Sequence, residues 1–331
     1  MNYYKGDRFQ GMWLGSIVGA ALESNIGRLN KSEYETILRY QFSSWLKARE
    51  QIAQQIIQEQ KLEAEYILKQ LTPFLAGLTN TRERRGFTIS YINILLTFLP
   101  LITFAEDNRD IYLKSSDRGN LESANVMQIK ADISVLTHLL ILALDNQFEP
   151  KDVNVSMIVK QVVDSIGVKT TSSIEKLKIV SQAWEHGSSL KQLTEKLCQT
   201  DNLNHNAMLT ATDIISLSFY CFASTPKNFM LSVKRASNLS KSLSLPVTAL
   251  TATFSGAYNG VAAIPRTWRS ATKHNQNFQD AIDTVRQLHK TWLGIHHIDN
   301  RSLLYDPQVH AVAIPRIIQF RQTLKIISQK S

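Results

Sequence analysis

The chain has 331 residues, 44% of them hydrophobic, which is enough for one large core. Two cysteines exclude a disulfide framework, and 13 glycines and 8 prolines with little apolar–polar alternation argue against a turn-rich sheet protein. A net charge of +9 suits an acidic protein, an anionic lipid surface or nucleic acid without selecting among them.

The N-terminal "MNYYKGDRFQ" is polar and no small-residue cleavage site follows it, so no secretory leader is expected. Asp7 is a candidate N-cap for the apolar run that follows. Gly11, Gly15 and Gly19 in that run share one helical face and would let another backbone approach closely. Ser32 with Glu35 reads as a capping box, and apolar residues at helical spacing (Ile52, Ile56, Ile57, then Ala64, Ile67, Leu68) predict two or three amphipathic helices over 32–71. "TISYINILLTFLPLITFA" (88–105) is near the length of a membrane span, but Asn93 and Pro100 make it a buried core helix. A polar exposed loop is expected at about 106–124. Helical patterns follow over 125–144, 155–166, 173–186, 189–199, 206–223, 228–240, 246–263 and 277–292. Pro226 marks the turn before the helix that contains Phe229. A short strand or turn and a closing helix are expected in the C-terminal "PQVHAVAIPRIIQFRQTLKII". There is no internal repeat and no evident linker, so the prediction is a single all-α domain, 1–331.

Three stretches carry a resemblance to a family. They are "FQGMWLGSIVGAALE" (9–23), "RRGFTISYINILLTFLPLITFAEDN" (84–108), and "ISLSFYCFASTPKNFMLSVKRASN" followed by "TALTATFSGAYNGVAAIPRTW" within 215–268. In order and character they resemble the ADP-ribosylglycohydrolases, all-α hydrolases that include the dinitrogenase-reductase-activating glycohydrolase. Gly256, Ala257, Tyr258, Gly260, Ile264, Pro265 and Trp268 fit the family's final G-A-x-x-G and I-P-x-x-W pattern.

The resemblance implies a pair of divalent cations, usually magnesium, that hold ribose hydroxyls and activate a water. Hard cations need carboxylate oxygens, and the family supplies them from three motifs. Each departs here. Ala20 stands at the aspartate position of the opening segment, and Glu23 at the glycine that follows. No aspartate lies between Glu23 and Leu71, so the T-D-D-T motif is absent. Counting back from Gly256 places the last aspartate pair at about Leu243 and Leu245, and no Asp or Glu occurs from Ile214 to Gln279. Seating two dications without carboxylates would leave a desolvation cost of at least several kcal/mol per charge. The expectation is therefore loss of the magnesium pair, with no cofactor and no catalytic residue. If the ancestral cleft still takes a ligand, its walls would include Ala20, Glu23, Ser240, Ser242 and Ser244.

No other chemistry stands out. His296, His297 and Asp299 form the densest histidine cluster, but neighbouring side chains on an extended segment point apart. His138 reads as a hydrogen-bonded core residue, and His186 as a helix C-terminal partner. Cys198 and Cys221 sit in no metal or CxxC spacing and read as reduced thiols of a cytoplasmic protein. There is no nucleophile elbow, phosphate loop, dinucleotide fingerprint or nucleic-acid-binding motif. The expected function is that of a non-catalytic, protein-binding or regulatory factor. Two alternatives stand beside it: an ADP-ribosyl hydrolase with a rebuilt site, and a nucleotide sensor using Arg84, Arg85 and Arg266. The positive charge leaves contact with a membrane surface open, although no amphipathic anchor is evident.

Overall fold

The computed structural model describes residues 2–21, 43–59, 95–104, 124–145, 154–166, 172–199, 211–239, 241–273 and 276–292. Every regular element among them is helical, as the patterning predicts. There are twelve α-helices and one 3-10 turn: α1 (Asn2–Ala21), α2 (Ser43–Glu59), α3 (Leu99–Phe104), α4 (Ala124–Leu144), α5 (Val155–Ile166), α6 (Ser172–Glu185), α7 (Leu190–Gln199), α8 (Ala211–Ala223), α9 (Phe229–Ser237), α10 (Lys241–Asn259), the turn Val261–Ala263, α11 (Arg266–Lys273) and α12 (Gln276–Trp292). The expected loop at 106–124, the cluster at His296–Asp299 and the closing segment fall outside the described residues, apart from Ala124 at the start of α4.

The apolar stripes explain how the helices pack. In α5, Val155, Ile158, Val159, Val162 and Ile166 are all buried, a period that admits only one inward face. α4 is apolar nearly all round and runs through the core, with every residue from 131 to 144 buried. In the former membrane candidate, Leu95, Leu96, Phe98, Leu99, Leu101 and Ile102 are buried in that same core. Among the described residues, no helix is long and apolar enough to cross a membrane.

Four details differ from the sequence reading. Asp7 does not cap α1, because the helix already begins at Asn2 and Asp7 lies exposed within it. α10 begins at Lys241, which puts Pro246 inside the helix instead of at its start. α10 also ends at Asn259, and 261–263 form a separate 3-10 turn. Lastly, α11 escaped notice. Its sequence "RTWRSATK" offers one large apolar residue, Trp268, whose ring packs edge-on to Phe229 at 6.3 Å.

Candidate functional site

The sequence resemblance directs attention to the pair α1 and α10, and their contact is made by backbone. A Cβ on Gly11 would lie 2.4 Å from the Gly256 carbonyl oxygen, one on Gly15 would lie 2.3 Å from that of Ala252, and one on Gly19 would lie 2.7 Å from that of Thr248. Glycine at every fourth position of α1 therefore builds a groove into which α10 fits. The pairing rises on one helix as it falls on the other, so the two run antiparallel. The C-terminal end of α1 consequently lies beside the N-terminal end of α10, where the resemblance places the cleft.

The described side chains at that end are short or apolar. Ala20, Ser244 and Leu245 are buried, and Leu243 packs against the core. Ser244 Oγ donates to the Ser237 carbonyl at 3.3 Å. One turn along α10, Thr248 is buried and its Oγ1 has no hydrogen-bond partner. Glu23 and Ser240 lie outside the described residues, and Ser242 is described only as backbone in the first turn of α10. The stretch counted as a metal loop, 243–245, is itself helix. One turn back from Ala20, Ser16 Oγ accepts a hydrogen bond from Arg49 Nη1 at 2.8 Å and donates to the Trp13 carbonyl at 2.6 Å. The Arg49 guanidinium sits 4.3 Å from the centre of the Trp13 ring. Its burial lowers its pKa, with Glu50 pulling weakly the other way. A buried cation one turn from the position at which the resemblance would put a metal ligand adds repulsion to the shortage of carboxylates there. The donors described here do not fit two divalent cations.

A polar cluster that sequence reasoning missed joins α4, α6 and α8. Asp132 Oδ1 accepts from Ser173 Oγ at 2.5 Å and from Thr212 Oγ1 at 2.8 Å. The Gln128 amide lies 2.8 Å from Ser173 Oγ, 3.2 Å from Thr212 Oγ1 and 3.1 Å from Asp132 Oδ1. Two amide protons, two hydroxyl protons and one carboxylate close a ring in which each proton has an acceptor. Next to Thr212, Asp213 pairs with Lys176 at 2.9 Å, both side chains buried, and Lys176 also donates to the Leu197 carbonyl at 2.9 Å. α8 runs alongside α10 in the same direction: Ser218 meets Val247 and Thr251, and Phe222 meets Phe254 and Tyr258. Thr212 and Asp213, which open α8, thus lie toward the same end of the bundle as Ser244. One signal was present in the sequence: Asp132 and Asp213 are the only acidic residues of α4 and α8, and a buried carboxylate must find partners.

Arg84 and Arg85 lie outside the described residues, Arg266 is exposed at the start of α11, and two of the histidines have structural roles. His138 Nδ1 lies 2.8 Å from the Ser134 carbonyl in the core, as expected. His186 Nδ1 lies 2.6 Å from the Gln182 carbonyl at the end of α6. Among the described residues, no group of three or more His, Cys, Asp or Glu is placed to hold a metal. A groove of about 210 Å³ between α1 and α12 is lined by Gln10, Trp13, Leu14, Ile17, Ala281 and Val285, among others. It presents no cation for a phosphate.

No family model matches the chain, and no curated protein does. Among solved structures, an "ADP-ribosylglycohydrolase-related protein complex" is similar, at 15% sequence identity and a TM-score of 0.50, over 87% of this chain and 98% of that one. At that identity the likeness is one of fold. The chain is an all-α protein with an ADP-ribosylglycohydrolase-like fold.

Proposed function

We propose that the chain is a non-catalytic protein on an ADP-ribosylglycohydrolase-like fold, a pseudoenzyme that acts by binding a protein partner or as a regulatory factor, without a metal pair. The observation that carries this reading is a contrast within one helix pair. The glycine seam brings α1 and α10 into backbone-to-backbone contact, while the end it assembles holds Ala20, Leu243, Ser244 and Leu245 where the family has carboxylates. Each uncompensated cation would cost at least several kcal/mol of desolvation. The similar structure is itself described as a protein complex, which accords with a binding role. A cytoplasmic location accords with two reduced thiols.

Calorimetric titration with magnesium and with manganese tests the reading directly. No stoichiometric uptake is expected, and no release of ADP-ribose from a modified protein. Uptake of two ions per chain together with hydrolysis would overturn it in favour of a hydrolase with a rebuilt site. A rise in melting temperature on adding ADP-ribose, without metal, would instead identify a nucleotide sensor.

A further inference from the structure

The positive charge of this protein is unevenly placed. From Ile214 to Gln279 the chain carries Lys227, Lys234, Arg235, Lys241, Arg266, Arg269 and Lys273, and no acid. The short helix α9 sits within this block. Its inner face, Phe229, Ser232, Val233 and Ala236, is buried. Its outer face presents Met230, Leu231, Lys234 and Arg235, a helical stripe at steps of three and four, flanked by Lys227 before the cap and Asn238 after the helix, and all six residues are exposed. Met230 is 40% exposed and Leu231 51%, two of the three large hydrophobic residues that stand out on the described surface. No ion pair among the described residues uses Lys227, Lys234, Arg235 or Arg266.

The helix is capped at its start and anchored on its inner side. Asn228 caps it, its side chain accepting from the Leu231 amide at 3.0 Å, and Ser232 Oγ donates to the Thr225 carbonyl at 2.8 Å. Phe229 anchors it on Trp268 of α11, the helix that contributes Arg266. Two exposed apolar side chains are thus held among cations that form no ion pair among the described residues.

We propose that this outer face of α9 docks the protein on an anionic lipid surface, with Met230 and Leu231 entering the acyl boundary and Lys227, Lys234 and Arg235 resting on the headgroups. A lipid surface suits the geometry better than a folded partner does. Protein interfaces favour anchors seated in pockets and are depleted in lysine, whereas here Met230 and Leu231 stand exposed and two of the three cations are lysines. A bilayer requires no matching shape. It rewards basic side chains near its surface and apolar side chains that reach past the headgroups. The sequence shows the charge but no anchor, because the anchor is two residues on a short helix whose own apolar stripe is turned inward.

Co-sedimentation of the full chain with vesicles tests this, comparing phosphatidylcholine alone with phosphatidylcholine containing about one third phosphatidylserine. Binding is expected to the anionic vesicles only and to fall as salt is raised from about 0.05 to 0.5 M. The double variant K234E/R235E should bind about tenfold more weakly or worse, and M230S/L231S should lose the binding that survives at high salt. All four positions are exposed, so an unchanged melting temperature serves as the folding control. Equal binding to both vesicle types, or unchanged binding by K234E/R235E, overturns the proposal. So does binding to soluble poly-glutamate without binding to vesicles, which would assign the face to an acidic protein.

Discussion

Gly11 and Gly256 touch backbone to backbone: a Cβ on Gly256 would lie 2.0 Å from the Gly11 carbonyl oxygen. No rotamer relieves such a contact, because both partners are main chain and both helices are held by their neighbours. Gly256→Ala should therefore force α1 and α10 apart. Overpacking of this kind costs roughly 1–3 kcal/mol or more, read as a lower denaturation midpoint. Gly187→Ala is a useful contrast. Nothing lies within 4 Å of its Cβ position, so only its positive φ of 59° carries a penalty.

The buried pair of Lys176 and Asp213 predicts strong non-additivity. Lys176→Met leaves the Asp213 carboxylate buried without its cation and should cost about 3–5 kcal/mol. The double variant Lys176→Met with Asp213→Leu removes both charges and should recover most of that loss. A double-mutant cycle by chemical denaturation measures the coupling.

Stability should also depend on pH through His289. The ring packs against both Phe9 and Trp292, with centroids 5.3 and 6.0 Å away, and its Nε2 is buried without a hydrogen-bond partner. Burial lowers its pKa from the ordinary value of 6.5. The unfolded chain then takes up this proton at a higher pH than the folded chain, so stability falls as pH drops through 6.5 toward the folded value. Melting temperatures measured from pH 8 downward (about half-unit steps) should show this loss, and His289→Phe should remove its part of the slope.

The two thiols should differ in reactivity. Burial pushes the Cys221 thiol up to about 12, with Arg235 opposing weakly, so almost no thiolate forms near neutrality. A thiol reagent should leave Cys221 unmodified in the native protein and label it only after unfolding. Cys198 is half-buried on α7 and serves as the internal comparison.

Much of the fold was legible because burial imposes a period. The reading of α5 matched its observed limits, since five buried positions leave no other register. α11 was not legible: one tryptophan in eight residues sets no period, and its contact with Phe229 comes from a helix distant in sequence. The start of α10 was misjudged because a proline normally opens a helix, yet here Pro246 stands five residues past Lys241. The glycine seam was visible as a face, but its partner was not. The Asp132 carboxylate was visible, but the cluster it forms was not, for a related reason. It gathers Ser173 and Thr212 from 41 and 80 residues away, and sequence spacing does not report which helices meet.

The seam between α1 and α10 also shapes how the chain is made. Gly11 and Gly256 are 245 positions apart (256 − 11). At about 5–20 residues per second, a ribosome needs roughly ten to fifty seconds to deliver α10 after α1 has emerged. Throughout that interval the apolar, glycine-notched flank of α1 has no mate. The nascent polypeptide must keep its first helix from sticking to anything else, so its yield in the cell should respond to holdase chaperones that shield newborn chains more than the stability of the finished fold would suggest.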